Sequence, residues 1–127
     1  MSRILVIDDS LSALQVTEMI LSEAGHEART CSSPKHALEV LESEPFDLIV
    51  TDIYMPEMDG LEVILEERRI RPDVPILAIS GMTGARNMLK VAKQLGACQV
   101  VQKPFSKADL LDAIDAALRA RHPGSHR

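Results

Sequence analysis

Aromatic side chains are almost missing from this 127-residue chain, which has two Phe, one Tyr and no Trp, 2% in all. Without aromatics interleaved among basic residues there is no surface on which bases could stack. The core must instead come from Leu, Ile, Val, Ala and Met, within a hydrophobic fraction of 46% that is ordinary for a folded protein. Cysteine is equally sparse. Cys31 and Cys98 are too few for a disulfide framework and form no CxxC pair, so both read as reduced, partly buried thiols. An excess of positive charge is lacking too, and the formal charge of −5 argues against nonspecific attraction to nucleic acid or anionic lipid. No apolar run approaches the roughly 20 residues of a membrane span. The amino terminus enters an apolar run at once, which leaves no room for a signal peptide. The expectation is a soluble, cytoplasmic protein of one domain, long enough to fold around a single core.

What is present is a strict alternation of short apolar runs and helical patterns. A first strand over about Arg3 to Ile7 leads into a helix from about Ser10 to Ala24, with Leu14, Ile20 and Leu21 at helical spacing and Gly25 as its stop. A weaker second strand, Glu27 to Thr30, precedes a helix capped by Ser33, with Pro34 in its first turn, that runs to about Ser43. Leu48 to Thr51 is the third strand. After a loop containing Pro56 and Gly60, a third helix is expected to turn Leu61, Ile64 and Leu65 to one side. A fourth strand follows Pro75, a fourth helix spans about Ala85 to Leu95 and ends at Gly96, and a fifth strand covers Gln99 to Val101. The last helix, from Ser106, buries Leu110, Leu111, Ile114 and Leu118. Strands that are apolar throughout, joined by helices, predict an α/β fold: a parallel sheet covered on both faces by right-handed crossovers. The domain is expected over 1–121. Residues 122–127 read as a short flexible tail, where His122 and His126 suggest fraying more than a metal grip.

Five polar residues directly follow the apolar runs: Asp8, Asp9, Asp52, Ser80 and Lys103. In a parallel sheet all of them emerge at the carboxyl edge, where open α/β sheets bind their ligands. Each also has a plainer reading. Asp8-Asp9-Ser10 can serve simply as a helix cap, Ser80 can close a turn with Gly81, and a lone lysine is usually solvated surface. Convergence changes the balance, because three carboxylates at one place repel one another. A hard divalent cation relieves that repulsion, and Mg2+ suits a site of few carboxylates that leaves water on the metal. Beside it, Asp52 can act as a nucleophile toward phosphorus, Lys103 can neutralise phosphoryl oxygens and the Ser80 hydroxyl can sense them.

Taken together, Asp8-Asp9, Asp52 with Met55-Pro56-Glu57-Met58-Asp59-Gly60, Pro75 to Gly81 and Lys103-Pro104-Phe105 resemble the receiver domain of bacterial two-component response regulators. The resemblance runs from about Arg3 to Ala120, and it is to a chemotaxis-regulator-like, stand-alone receiver or to a receiver excised from a longer protein. It implies a flavodoxin-like, doubly wound five-stranded sheet of order 2-1-3-4-5 with five helices, in which Cys31 and Cys98 lie near opposite edges. By the same resemblance Asp52 takes a phosphoryl group from a histidine kinase or phosphotransfer protein. Asp9, Asp52 and the Tyr54 backbone carbonyl are then Mg2+ ligands, Asp8 acts through metal-bound water, Ser80 is the switch hydroxyl and Lys103 pairs with phosphate. A cis Lys103-Pro104 bond is also implied.

The chain departs from that pattern at Val100, three residues before the lysine, where receivers commonly carry Tyr or Phe. Without that aromatic rotamer, Ser80, the Gly81 to Gly84 loop and the fourth helix are expected to carry the signal. Tyr54 and Met82 are bulky where the family flanks the path of attacking water. They either slow hydrolysis or form a docking patch. Two enzyme-like or binding alternatives fit less well. A Mg2+-dependent aspartyl-phosphate phosphatase of the haloacid-dehalogenase kind needs an acid two residues after the nucleophile, where Tyr54 stands, and a flavodoxin-type nucleotide binder would not place Asp8 and Asp9 against an anion. An inactive scaffold would not need all five polar positions. The resemblance further implies that the first helix docks the donor, and that helix 4, strand 5 and helix 5 contact a protein target or a second copy in a homodimer. No nucleic-acid-binding element or membrane contact is expected.

Overall fold

The computed structural model describes residues 2–53, 55, 58–81 and 85–125. Strands and helices alternate: β1 (Arg3–Ile7), α1 (Leu11–Glu23), β2 (Glu27–Cys31), α2 (Pro34–Ser43), β3 (Leu48–Asp52), α3 (Gly60–Ile70), β4 (Ile76–Ser80), α4 (Ala85–Leu95), β5 (Gln99–Gln102) and α5 (Lys107–Ser125). All strand pairings are parallel, in the order β2-β1-β3-β4-β5. This is the flavodoxin-like topology expected from the resemblance. α5 continues to Ser125, into the stretch 122–127 that was expected to be a tail.

The apolar strands explain the two-sided core. Along β1, Ile4 and Val6 enter a cluster with Leu14, Leu21, Leu110 and Ile114, whereas Leu5 and Ile7 enter one with Val40, Leu41, Val63 and Ile64. Successive strand residues point to opposite faces, so α1 and α5 cover one side and α2, α3 and α4 the other. Each fully buried Leu or Ile contributes about 1.5–3 kcal/mol, and β3 and β4 are buried along their whole length. That burial makes the central strands a rigid base for their carboxyl ends.

Local signals place the helix ends much as expected. The Ser10 hydroxyl accepts from the Ala13 N–H at 3.3 Å, Ser33 accepts from His36 at 3.4 Å with Pro34 leading its helix, and Asp59 accepts from Leu61 at 2.9 Å. Gly25 and Gly96 end α1 and α4 with φ of 88° and 132°, conformations that a Cβ disfavours. The Lys103-Pro104 bond is cis.

One helix differs from expectation. α3 buries Gly60, Val63, Ile64 and Glu67, while Leu65 is 49% exposed. Gly60 sets this rotation. A Cβ there would fall on the backbone of Ile53, so position 60 must face inward, and positions 63, 64 and 67 follow it at helical spacing. Leu61 packs at the margin of that core. The three adjacent apolar residues at 63 to 65 hid the choice of face.

Candidate functional site

Strand register fixes the address of each polar group. Asp8 and Asp9 follow β1, Asp52 and Ser80 are the last residues of β3 and β4, and Lys103 follows β5. Asp52 lies level with Ile79, and Ser80 with Gln102. All five residues therefore meet at the carboxyl edge, as the sequence predicted. Tyr54, Pro56, Glu57, Met82 and Gly84, which the sequence also singled out, lie outside the described residues.

Main-chain ties hold the acids in place. Asp8 donates its N–H to the Cys31 carbonyl of β2 at 3.2 Å, and its Oδ1 accepts from the Ser10 N–H at 2.9 Å. Capping and clustering thus coexist here: Ser10 caps α1 while Asp8 braces the turn that leads into it. Asp8 and Asp52 are buried and Asp9 is exposed. One carboxylate oxygen from each of Asp8, Asp9 and Asp52 lies within 4.8 Å of the others. Such a donor set is hard, anionic and oxygen-only, which fits Mg2+.

Lys103 answers only part of this negative charge. Its Nζ stands 3.4 Å from both Asp8 Oδ2 and Asp52 Oδ2. Partial burial alone would push the ammonium down, but the charges of Asp52 and Asp8, with its hydrogen bonds to both, outweigh that and hold it above its ordinary value. The stem reaches this position by crossing Gly81, where an added Cβ would come within 2.9 Å of Lys103 Cβ. Gly81 had been read as a turn residue beside Ser80. Its close approach to Lys103 depends on the β4–β5 pairing, including Lys103 N–H to Ser80 carbonyl at 2.8 Å, and this was not visible in linear sequence.

Ser80 is wholly buried, and its hydroxyl has no hydrogen-bond partner among the described residues. A buried donor left in this way is costly unless an acceptor meets it. Val100 pairs with Ala78 and packs, partly buried, against the cluster under α2, α3 and α4.

A family model for the response regulator receiver domain matches residues 4–115. The chain belongs to that family. Among curated relatives, this receiver is 32% identical over 94% of its length to the DNA-binding transcriptional regulator NtrC of Azospirillum brasilense, covering 25% of that protein. It is 30% identical over 93% of its length to the response regulator SaeR of Staphylococcus aureus, covering 51% of it. The chain therefore spans from about a quarter to about half of the curated relatives it matches. A CheY-like receiver domain protein from Methanospirillum hungatei superposes with a TM-score of 0.90 at 28% identity, covering 98% of both chains. Receivers are signalling domains of two-component systems rather than conventional enzymes, and they bind Mg2+ at an acidic pocket. This chain carries a cluster of three Asp at its sheet edge. Among the described residues, no helix is long and apolar enough to cross a membrane.

Proposed function

We propose that this receiver is a phosphorylation-dependent switch in which Asp52 accepts a phosphoryl group from a phosphohistidine on a histidine kinase or phosphotransfer protein. The observation that carries this reading is the convergence of Asp8, Asp9 and Asp52 on one edge, with Lys103 Nζ shared between two of them at 3.4 Å. In the transfer, an Asp52 carboxylate oxygen forms a bond to phosphorus as the donor's P–N bond breaks, and the electron pair returns to the imidazole. No general base is required, because the nucleophile is already an anion and the work is positioning and charge neutralisation. Asp8, Asp9 and Asp52, with the main-chain carbonyl of Tyr54, would hold Mg2+, which supplies neutralisation of the carboxylates and the phosphoryl oxygens when bound.

Lys103 then pairs with the phosphoryl oxygens in place of the Asp52 carboxylate. The Ser80 hydroxyl donates to the same group, which gives its buried oxygen a partner. Ser80 is the switch hydroxyl, and with Val100 in place of an aromatic its movement passes to α4 by way of the residues that follow Gly81. Donor docking is assigned to α1, where Leu11, Val16 and Met19 are exposed. Beside them lies an open cavity of about 560 Å³ lined by Asp8, Ser12, Val16, Lys103 and Phe105, which brings the donor's approach next to the acids. The α4–β5–α5 face contacts the target protein or a second copy, and the site of action is the cytoplasm.

Incubation with acetyl phosphate tests the reading. Stoichiometric labelling that needs Mg2+ and is lost in Asp52→Ala is the expected result. Repeated turnover of a phosphoester would instead favour a phosphatase, and absence of any label an inactive scaffold.

A further inference from the structure

Glu67 has no part in the chemistry at the sheet edge, yet it is 0% exposed and neither of its carboxylate oxygens has a hydrogen-bond partner among the described residues. It occupies an inward position of α3 that Val63 and Ile64 would lead one to expect a Leu or Ile to fill. α3 starts where Gly60 lies against Ile53, and seven residues of helix carry Glu67 about 10 Å farther from the acidic site. The adjacent Arg68 side chain lies over Gly96 at the end of α4. This turn of α3 is therefore where α3 meets the carboxyl end of α4.

Among the described residues, no nearby charge compensates the carboxyl. On α2, Lys35, His36, Glu39 and Glu42 are exposed, and on α4 Lys90 and Lys93 are exposed. On α3 itself, Glu62, Arg68 and Arg69 are exposed and Glu66 bonds Arg69. Arg71 beyond the helix donates to the Glu42 carbonyl, and the sheet residues packed under α2, α3 and α4, among them Ile49, Ile76 and Ala78, are apolar. Burial by itself drives the Glu67 carboxyl well above its ordinary value of 4.5. A lone buried carboxylate is far less stable than the neutral acid.

We propose that Glu67 is a proton-linked latch, a neutral acid while the carboxyl-terminal half of α3 lies closed on the core and a carboxylate once that turn opens to water. The device is independent of the phosphoacceptor reading. Its sign follows from linkage: the closed form keeps a proton that the open form has lost. Closure is therefore firmest in acid, weakens about tenfold per pH unit above the ordinary value for Glu, and levels off once pH passes the closed-state value. Through the Arg68 contact with Gly96, the same opening frees the end of α4, the helix that follows the Ser80 strand. Ambient pH would then set how readily the α3–α4 side of the receiver moves.

Amide hydrogen exchange on the full chain between pH 5 and 9, expressed as protection factors so that base catalysis is removed, reads this directly. Protection of residues 66–70 should fall about tenfold per pH unit over part of that range, and stay flat in Glu67→Gln and Glu67→Met. The wild-type carboxyl carbon, followed by NMR, should titrate well above 4.5. Equal pH slopes in wild type and the variants would overturn the latch. So would a carboxyl carbon that titrates at the ordinary position in the folded protein, a measurement that stands even if a variant does not fold.

Discussion

The two edges of the sheet both carry clustered charge, and they use it in opposite ways. At the amino edge, Arg3 bonds Glu44 at 2.6 Å, Glu27 at 3.3 Å and the Pro45 carbonyl at 2.9 Å, lies 4.8 Å over the Phe46 ring, and gives its N–H to Asp47 at 2.8 Å. Arg29 reaches the other oxygen of Glu44 at 3.8 Å. These contacts tie the starts of β1, β2 and β3 together. At the carboxyl edge, Asp8, Asp9 and Asp52 crowd together, and Lys103 approaches two of them no closer than 3.4 Å. At one edge the charges are matched in sign, two arginines against Glu27 and Glu44. At the other, three carboxylates share one ammonium among the described residues, and that excess of negative charge is what a cation can use.

The contrast can be broken at either edge. Arg3→Ala removes several contacts at once and should cost about 2 kcal/mol of stability in urea unfolding, while leaving acetyl phosphate labelling unchanged. A loss of labelling would mean that the edges are coupled. Gly81→Ala, which presses on the Lys103 stem, should cost about 1–2 kcal/mol and slow labelling by displacing the ammonium. Equal labelling rates would show that the close approach has no bearing on the site. Asp9→Asn should do the reverse in metal-free buffer and stabilise by about 0.5 kcal/mol, because it relieves repulsion among the acids.

A smaller effect lies in the pH dependence of Lys103. Its folded-state value is raised above 10.5, so its attraction to Asp52 and Asp8 is complete at neutral and mildly alkaline pH and lost only as pH rises through that folded value. The melting-temperature gap between wild type and Lys103→Met should hold steady from pH 7 to 10 and close above 10.5. A gap that closes near neutrality would mean that the lysine does not face those carboxylates.

The elements and the site differ in how far the sequence disclosed them. Apolar strand runs, the Ser33-Pro34 start and the Gly25 and Gly96 stops are local signals, and the elements appear where those signals put them. The five polar residues were legible because a parallel sheet sends every strand end to one edge. Their packing was not. Gly81 under the Lys103 stem and Gly60 on Ile53 arise between segments distant in sequence. Glu67 reads as surface because charged residues rarely face a core, and only the rotation imposed by Gly60 turns it inward while Leu65 turns out.

The most direct measurement neutralises one carboxylate at each edge and follows unfolding free energy with and without saturating Mg2+. Wild type should gain stability on Mg2+ binding, since a ligand taken only by the folded state stabilises it. Asp9→Asn should be at least as stable as wild type without metal and lose most of the Mg2+ gain. Asp47→Asn, which weakens the bond to the Arg3 N–H, should lower stability and keep that gain whole. Equal Mg2+ gains in Asp9→Asn and Asp47→Asn would contradict the account, because the surplus charge at the carboxyl edge would then not be what receives the cation.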